Sequence, residues 1–413
     1  MAMDMDPGCE KVVIVGASHV AAQLCVSLRQ TGWSGEITVI GDEKILPYHR
    51  PPLSKEFLSG NGNVDDILIC PASVYDKARV NIRLGIHIER IDPDTKTIVA
   101  NSGEIFSYDK LVLATGARVR RLPVIGGDTE GVLYLRNIED VLKIKTKIAA
   151  STHAVIIGGG YIGLETAASL RRSGLDVTVL EASSRILQRV TAPALSDFYR
   201  RIHTEEGVEI IEGITVLEIK KIGQMLEVST ECKKSFQANL VIVGIGVLPN
   251  IELAQNAGLA TANGIVVNEF CQTSNIDIYA AGDVAWHYNP IYDTELRLES
   301  VPNAIDQAKT VAMHITGQPK PYSALPWFWS QQFDVKLQIA GLSLTYDNIV
   351  IRGDVQNRGG FSVFYFKGDK FLAVDALNAP RDFVFGRQAL TKGLAVDKSI
   401  VADVHADLKT AIL

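Results

Sequence analysis

The sequence predicts an α/β chain built on two copies of one strand–turn–helix unit, with an α+β domain at the C-terminal end. Three observations carry this expectation. Two glycine-rich stretches stand 142 positions apart, Lys11-Val-Val-Ile-Val-Gly16-Ala-Ser18-His-Val-Ala21 and His153-Ala-Val-Ile-Ile-Gly158-Gly-Gly160-Tyr-Ile-Gly163. The likeness runs past the turns, because Ser27-Leu-Arg-Gln-Thr-Gly32 answers Ser169-Leu-Arg-Arg-Ser-Gly174 at the same offset. Near the end come β-rich runs of another kind, Gly360-Phe-Ser-Val-Phe-Tyr-Phe366 and Phe371-Leu-Ala-Val-Asp375.

Each element follows from local chemistry. Val12 to Val15 is a continuous apolar run, as a parallel strand buried on both faces requires. Gly16 then turns the chain where a ligand must approach the backbone without a Cβ in the way. The following helix ends at Gly32 in the C′ position, and Glu36-Ile-Thr-Val-Ile40 reads as the next strand. The second copy repeats this with Val155–Ile157, a helix from about Ile162 to Arg172, Gly174, and Asp176–Leu180. Its glycine pattern is complete in Gly158, Gly160 and Gly163, whereas the first copy has Ser18 and Ala21 at two glycine positions. Both replacements are small, so close backbone approach stays feasible.

A strand, a glycine turn and a helix N-terminus together make a cradle for a pyrophosphate. Two such Rossmann-like units imply two dinucleotides, and a chain holding two is most simply explained as passing electrons between them. Glu181 lies 18 positions beyond Gly163, where a carboxylate accepts hydrogen bonds from the ribose hydroxyls and repels a 2′-phosphate. No arginine follows until Arg185, so NADH is favoured over NADPH. In the first copy the corresponding acid is Asp42, with Glu43 beside it. The ordinary alternative for either acid is a solvated strand end.

At 413 residues the chain is long enough for two or three domains, and 47% hydrophobic content supplies substantial cores. Met1-Ala-Met-Asp-Met-Asp-Pro-Gly8 lacks the apolar core of a signal peptide, and no apolar run reaches the ~18 residues of a membrane span. The expectation is a cytoplasmic protein with no membrane contact. A formal net charge of −6 argues against a nucleic-acid binder. Cys9, Cys25, Cys70, Cys232 and Cys271 form neither a Cys-x-x-Cys pair nor a metal-type spacing, so no metal is expected. Ile45 to Gly62 holds no cysteine. Disulfide reductases of two-dinucleotide layout carry a redox pair early in the chain, so electrons must leave here by another route.

Leu111-Val-Leu-Ala-Thr-Gly116 reads as a strand leaving the first domain, and Leu240-Val-Ile-Val-Gly-Ile-Gly246-Val-Leu-Pro249-Asn250 as the return crossing. In Ile276-Asp-Ile-Tyr-Ala-Ala-Gly282-Asp283, an Asp after Gly at a strand end suits a ribityl hydroxyl; a plain turn is the alternative. In this order the elements resemble the flavoprotein reductases of glutathione-reductase-like layout. Arg50-Pro-Pro-Leu-Ser-Lys55, Arg297-Leu-Glu-Ser-Val-Pro-Asn-Ala304 with Gln307, and Pro326-Trp-Phe-Trp-Ser330-Gln narrow the likeness. The chain is similar to the FAD-dependent, NADH-linked ferredoxin reductases of bacterial oxygenase systems. The putidaredoxin reductase type, which serves haem monooxygenases, is nearest, and reductases of Rieske-type dioxygenases are also near.

The resemblance implies roles residue by residue. Lys55 contacts the flavin ring, where a cation stabilises the negative charge of reduced flavin. Locally, Ser54 reads as the N-cap of a short helix, and a solvated Lys55 is the alternative. FAD residues implied with it are Gly16, Ser18, Val20, Asp42, Arg50, Thr115, Gly116, Arg136, Gly282, Asp283, Val301 and Trp329. Those implied for NADH are Gly158, Gly160, Ile162, Gly163, Glu165, Glu181 and Gly246. Glu165 matches a carboxylate near the nicotinamide amide; an acid favoured by the helix dipole is its alternative. Trp329 lies against the flavin on an exit path to ferredoxin, with Trp327 and Phe328 as core or rim. Lys309 takes a basic position that faces the acidic ferredoxin surface.

The expected architecture is an FAD domain of residues 1–117 and 246–322, an NADH domain of 118–245, and a C-terminal α+β domain of 323–413. The expected activity passes electrons from NADH through FAD, one at a time, to a 2Fe–2S ferredoxin that feeds an oxygenase. No protein nucleophile is implied, and His19, in the first phosphate turn, could contact FAD. Transfer to rubredoxin, to a quinone-like molecule or to oxygen is a rival. A redox-responsive binding protein resembling apoptosis-inducing factor is a remoter one.

Overall fold

The computed structural model describes residues 10–60 and 62–413. Cys9 and the Met1–Gly8 stretch lie outside the described residues. The chain forms two compact units, one of residues 1–49, 64–118 and 248–326, the other of 50–63, 119–247 and 327–413. The Arg50–Lys55 segment, expected in the FAD domain, thus belongs to the second unit.

The first unit is built on a parallel five-stranded sheet. Its order is Ile278–Ala280, Lys110–Leu113, Lys11–Val15, Glu36–Gly41, Val80–Leu84. The central strand is apolar on both faces for a reason its alternation reveals. Val12 and Ile14 pack with the helices His19–Gln30 and Val301–Ile315, through Leu24, Leu28, Ala304, Ala308 and Val311. Val13 and Val15 point the other way, into Ile88, Ile91 and Ile98 of an antiparallel ribbon. Each face removes branched side chains from water, roughly 1.5–3 kcal/mol apiece.

The second unit repeats that sheet. Its parallel order is Val208–Ile211, Asp176–Leu180, His153–Ile157, Leu240–Val243, Val132–Tyr134. A three-stranded antiparallel meander, Val216–Ile222, Met225–Thr230 and Ser235–Ala238, covers one face through Val216, Ile219, Leu226 and Val228. Residues beyond 326 form an antiparallel five-stranded sheet ordered Trp327–Gln332, Val335–Gly341, Lys370–Leu377, Phe361–Lys367, Asn348–Gly353. The helix Pro380–Thr391 follows, with Gly386 against Val374.

A buried polar knot ties this last sheet to the loop that opens the helix Pro193–Glu205. The Tyr365 hydroxyl and the Thr191 hydroxyl both donate to Asp375 Oδ2, at 2.5 and 2.8 Å, and the Ala192 amide donates to Tyr365 Oη at 3.0 Å. Asp375 is fully buried, and burial pushes its carboxyl up to about 6 against the two hydroxyl donors. A folded-state value above the unfolded one means the native protein binds the extra proton. The contribution is therefore complete below about pH 4 and lost as pH rises through 6. Asp375→Asn, which keeps an acceptor and removes the charge, is expected to gain stability relative to the parent on going from pH 4 to pH 7. The gain is on the order of 2–3 kcal/mol. Chemical denaturation of both proteins across that range measures it, and parallel curves contradict it.

Candidate functional site

The two glycine turns are alike in backbone detail. The Gly16 amide donates to Ile40 O at 2.7 Å, and the Gly158 amide donates to Leu180 O at 2.8 Å, each locking the turn to the second strand. Both glycines have strongly positive φ, +112° and +114°. A Cβ on Gly16 would lie 2.1 Å from Ala114 O, and one on Gly158 would lie 2.4 Å from Gly244 O. No side chain fits either place. Ser18 and Gly160 then serve as N-caps of the helices His19–Gln30 and Tyr161–Arg172, neither with a side-chain cap bond. First-turn amides of such helices have no carbonyl one turn earlier, which leaves them to an anion. Both turns therefore fit a dinucleotide pyrophosphate.

The copies differ one turn further on. A Cβ on Gly163 would sit 2.0 Å from Gly158 O, whereas Ala21 carries its Cβ fully buried in the core cluster that holds Val12, Ile14 and Leu24. The first copy thus tolerates the departures that its sequence presents.

Around the first turn, unit one gathers Gly16, Ser18, Val20, Asp42, Thr115, Gly116, Gly282, Asp283 and Val301 at the ends of its parallel strands and the starts of its helices. The Thr115 hydroxyl donates to Asn250 O at 2.9 Å, and the Asn250 amide group donates to Thr115 O at 2.8 Å. The Gly282 amide donates to the buried Gln307 Oε1 at 2.7 Å. Gln307 belongs to a motif noted in the sequence, but its hold on the Gly-Asp turn has no local signal. Asp42 is exposed directly after its strand. Lys309 is exposed on the helix Val301–Ile315 and pairs with Asp306 at 3.3 Å. The His19 ring lies 5.7 Å from that of His49, tilted by 56°.

In the second unit, Glu181 does more than end a strand. Its Oε2 accepts from the Gly159 amide at 2.6 Å and its Oε1 from the Ser183 amide at 2.7 Å. The carboxylate holds the glycine turn while keeping lone pairs for a ligand. Ile162 is exposed at the start of the helix, and Gly246 has φ +100° at the exit of the strand Leu240–Val243.

The Arg50–Lys55 motif departs from its sequence reading. Pro51–Ser54 is a 3₁₀ turn, and the short helix Glu56–Ser59 has Lys55, not Ser54, at its N-cap. The Ser54 hydroxyl is taken instead by Glu165 Oε2, to which it donates at 2.5 Å. The charged acceptor fixes the direction of this hydroxyl, while the residue at the cap position is Lys55. Nor is Lys55 solvated: its side chain is 14% exposed, and its ammonium lies 2.6 Å from Glu165 Oε2. Glu165 is itself buried, with Oε1 accepting from the Ser330 hydroxyl at 2.7 Å. A helix-dipole role alone does not explain a carboxylate with three such donors. Arg50 donates to Arg136 O at 2.8 Å.

Half-buried aromatic rings stand beside this centre. Tyr161 lies 5.1 Å from Phe328, and Trp327 lies 5.5 Å from Trp329. Among the described residues, Cys25, Cys70, Cys232 and Cys271 are free thiols, and burial pushes Cys25 up to about 12. No described group of His, Cys, Asp and Glu has the arrangement of a metal site. No helix among the described residues is long and apolar enough to cross a membrane.

Comparison with known proteins agrees with this geometry. Residues 10–308 match the family described as pyridine nucleotide-disulphide oxidoreductase, and residues 327–412 match the reductase C-terminal family. The chain is 40% identical over 409 residues to putidaredoxin reductase CamA of Pseudomonas putida, covering 98% of this chain and 97% of that one. It is 36% identical over 412 residues to the ferredoxin–NAD(+) reductase component of the anthranilate 1,2-dioxygenase system of Burkholderia cepacia, covering 99% and 100%. In the crystal structure of the covalent putidaredoxin reductase–putidaredoxin complex, one chain superposes with TM-score 0.94 at 39% identity, covering 97% of this chain and 98% of that one.

Gly158→Ala is expected to lower the melting temperature by several degrees and weaken dinucleotide binding more than tenfold, because the new methyl meets Gly244 O. Gly174→Ala, with open space around its Cβ and φ +89°, costs only about 1–2 kcal/mol and leaves binding intact. Thermal melts and NADH titration of the two variants test the contrast.

Proposed function

Because this chain belongs to the pyridine nucleotide-disulphide oxidoreductase family, whose cofactors are FAD and NAD(H), we propose that it is an FAD-dependent NADH:ferredoxin reductase of an oxygenase system. The observation that carries this is the pair of matching cradles, each with a Cβ-free glycine, joined in one chain with the Lys55–Glu165 centre. We assign residues 1–117 and 246–322 to FAD, 118–245 to NADH and 323–413 to a C-terminal domain, the 50–63 segment within the first stretch packing with the second unit.

FAD supplies the exchange between a two-electron donor and a one-electron acceptor. The chain's own residues bind and orient. The amides after Gly16 and Gly158 hold the pyrophosphates, and Glu181 accepts from the adenosine ribose and disfavours a 2′-phosphate. Lys55 supplies a fixed positive charge to the flavin ring, with Glu165 keeping its ammonium in place and one lone pair for the nicotinamide amide. Trp329 is the flavin-side residue of the exit path, and Lys309 offers charge to an acidic partner. The acceptor is a 2Fe–2S ferredoxin, supported by the family likeness and by the putidaredoxin complex of a 39% identical chain. A haem monooxygenase is the favoured terminal oxygenase, since identity is higher to putidaredoxin reductase than to the dioxygenase component. The site of action is cytoplasmic.

Anaerobic NADH is expected to bleach the yellow protein, and a matched ferredoxin to restore its colour within the turnover time. Rapid re-oxidation by oxygen alone favours the oxidase rival, and a bleached state that persists for minutes with ferredoxin defeats the reductase reading. Glu181→Ala should narrow the preference for NADH over NADPH at least tenfold, read as the ratio of kcat/KM values. An unchanged ratio removes Glu181 from that role.

A further inference from the structure

Glu165 is held by more than its neighbours on the Arg50–Lys55 motif. A chain of hydrogen bonds approaches it from the C-terminal sheet and a helix beyond. His203 Nε2 lies in hydrogen-bond contact with Gln332 Oε1 at 2.9 Å. The Gln332 amide donates through Nε2 to Ser330 Oγ at 3.2 Å, and the Ser330 hydroxyl donates to Glu165 Oε1 at 2.7 Å. His203, Gln332 and Ser330 are all fully buried.

Every link has one allowed direction. Burial drives His203 down to about 4, so the ring is neutral in the physiological range. The Glu165 carboxylate only accepts, so Ser330 donates to it and the Gln332 amide group donates to Ser330; that leaves Gln332 Oε1 toward His203 Nε2, which therefore carries the ring's one proton. Ser330, receiving from Gln332, has its own proton left only for Glu165. Ser330 and Gln332 occupy positions i and i+2 of the strand Trp327–Gln332, so both point to the same face while Trp327 and Trp329 occupy the other.

We propose that Ser330, Gln332 and His203 are positioning residues that fix Glu165, and through it the Lys55 ammonium, for reduction of the flavin by NADH. This rests on the reading that puts Lys55 beside the flavin. Removing the Ser330 hydroxyl leaves a buried carboxylate short of one donor. Glu165 then leans harder on Lys55, pulling its charge back from the ring and neutralising it more fully. The chain is a clamp and not a proton path, because the Gln332 amide does not pass a proton.

The test compares Ser330→Ala with the parent holoenzyme by flavin midpoint potential and by anaerobic stopped-flow reduction. The potential should move negative and the limiting reduction rate fall about tenfold, with the NADH dissociation constant changing less than twofold. In a Glu165→Gln background the Ser330→Ala change should have little further effect on either quantity. Gln332→Met should act in the same direction more weakly, and carries the test if Ser330→Ala loses its flavin. Parent-like values, or an equal effect in the Glu165→Gln background, overturn the proposal. Lys55→Met separates the two readings. If it leaves potential and rate unchanged, the flavin-side role of Lys55 fails; if it acts and Ser330→Ala does not, only the clamp fails.

Discussion

A carbonyl oxygen pressed against the end of a parallel strand is the constraint on which both cradles depend. Ala114 O at one turn and Gly244 O at the other stand where a side chain would begin, so only glycine ends the strand there. The sheet sets the carbonyl's position through its neighbour strand, whose Ala114 and Gly244 amides in turn donate to Val15 O and Ile157 O. Sheet and turn therefore specify each other, and the helix that follows starts at one place with one direction. The anion-binding amides come from that start, so binding follows from main-chain packing before any side chain is considered.

The second constraint is electrostatic. Burying Glu165 to 2% exposure is costly unless every charge is answered. Lys55, Ser54 and Ser330 answer it from two separate stretches of chain, so the carboxylate gathers the short 50–63 segment and the C-terminal sheet around one helix. Ser169 adds a further tie, its hydroxyl donating to Ser54 O at 2.7 Å. A helix N-terminus that might have been a plain phosphate cradle is thereby also the anchor for the cationic motif.

Legibility in the sequence divides along the same line. Lys11–Val15, Asp176–Leu180 and the helix ends at Gly32 and Gly174 were readable because their signals are local: apolar runs, caps, and residues at positive φ. The family likeness was readable from motif order, since short segments keep their spacing. Ser54 was misread because a serine before a short helix looks like a cap, and nothing nearby reveals a carboxylate 111 positions away. Ser330 and Gln307 were visible only as members of motifs, and Gln332 lies one residue beyond the motif that holds Ser330. Their partners lie on other elements, and side-chain satisfaction across such distances leaves no periodicity to find. The placement of Arg50–Asn63 with the second unit escaped for the same reason.

The reciprocal bonds between Thr115 and Asn250 join residues 135 positions apart. To the first sheet, everything between them is a single excursion that sets out and returns through one doorway. The entropy of closing such a loop grows only with the logarithm of its length, so a far larger or smaller insertion would burden the sheet almost equally. The length of that excursion is therefore set by what it folds into and not by the sheet that it leaves.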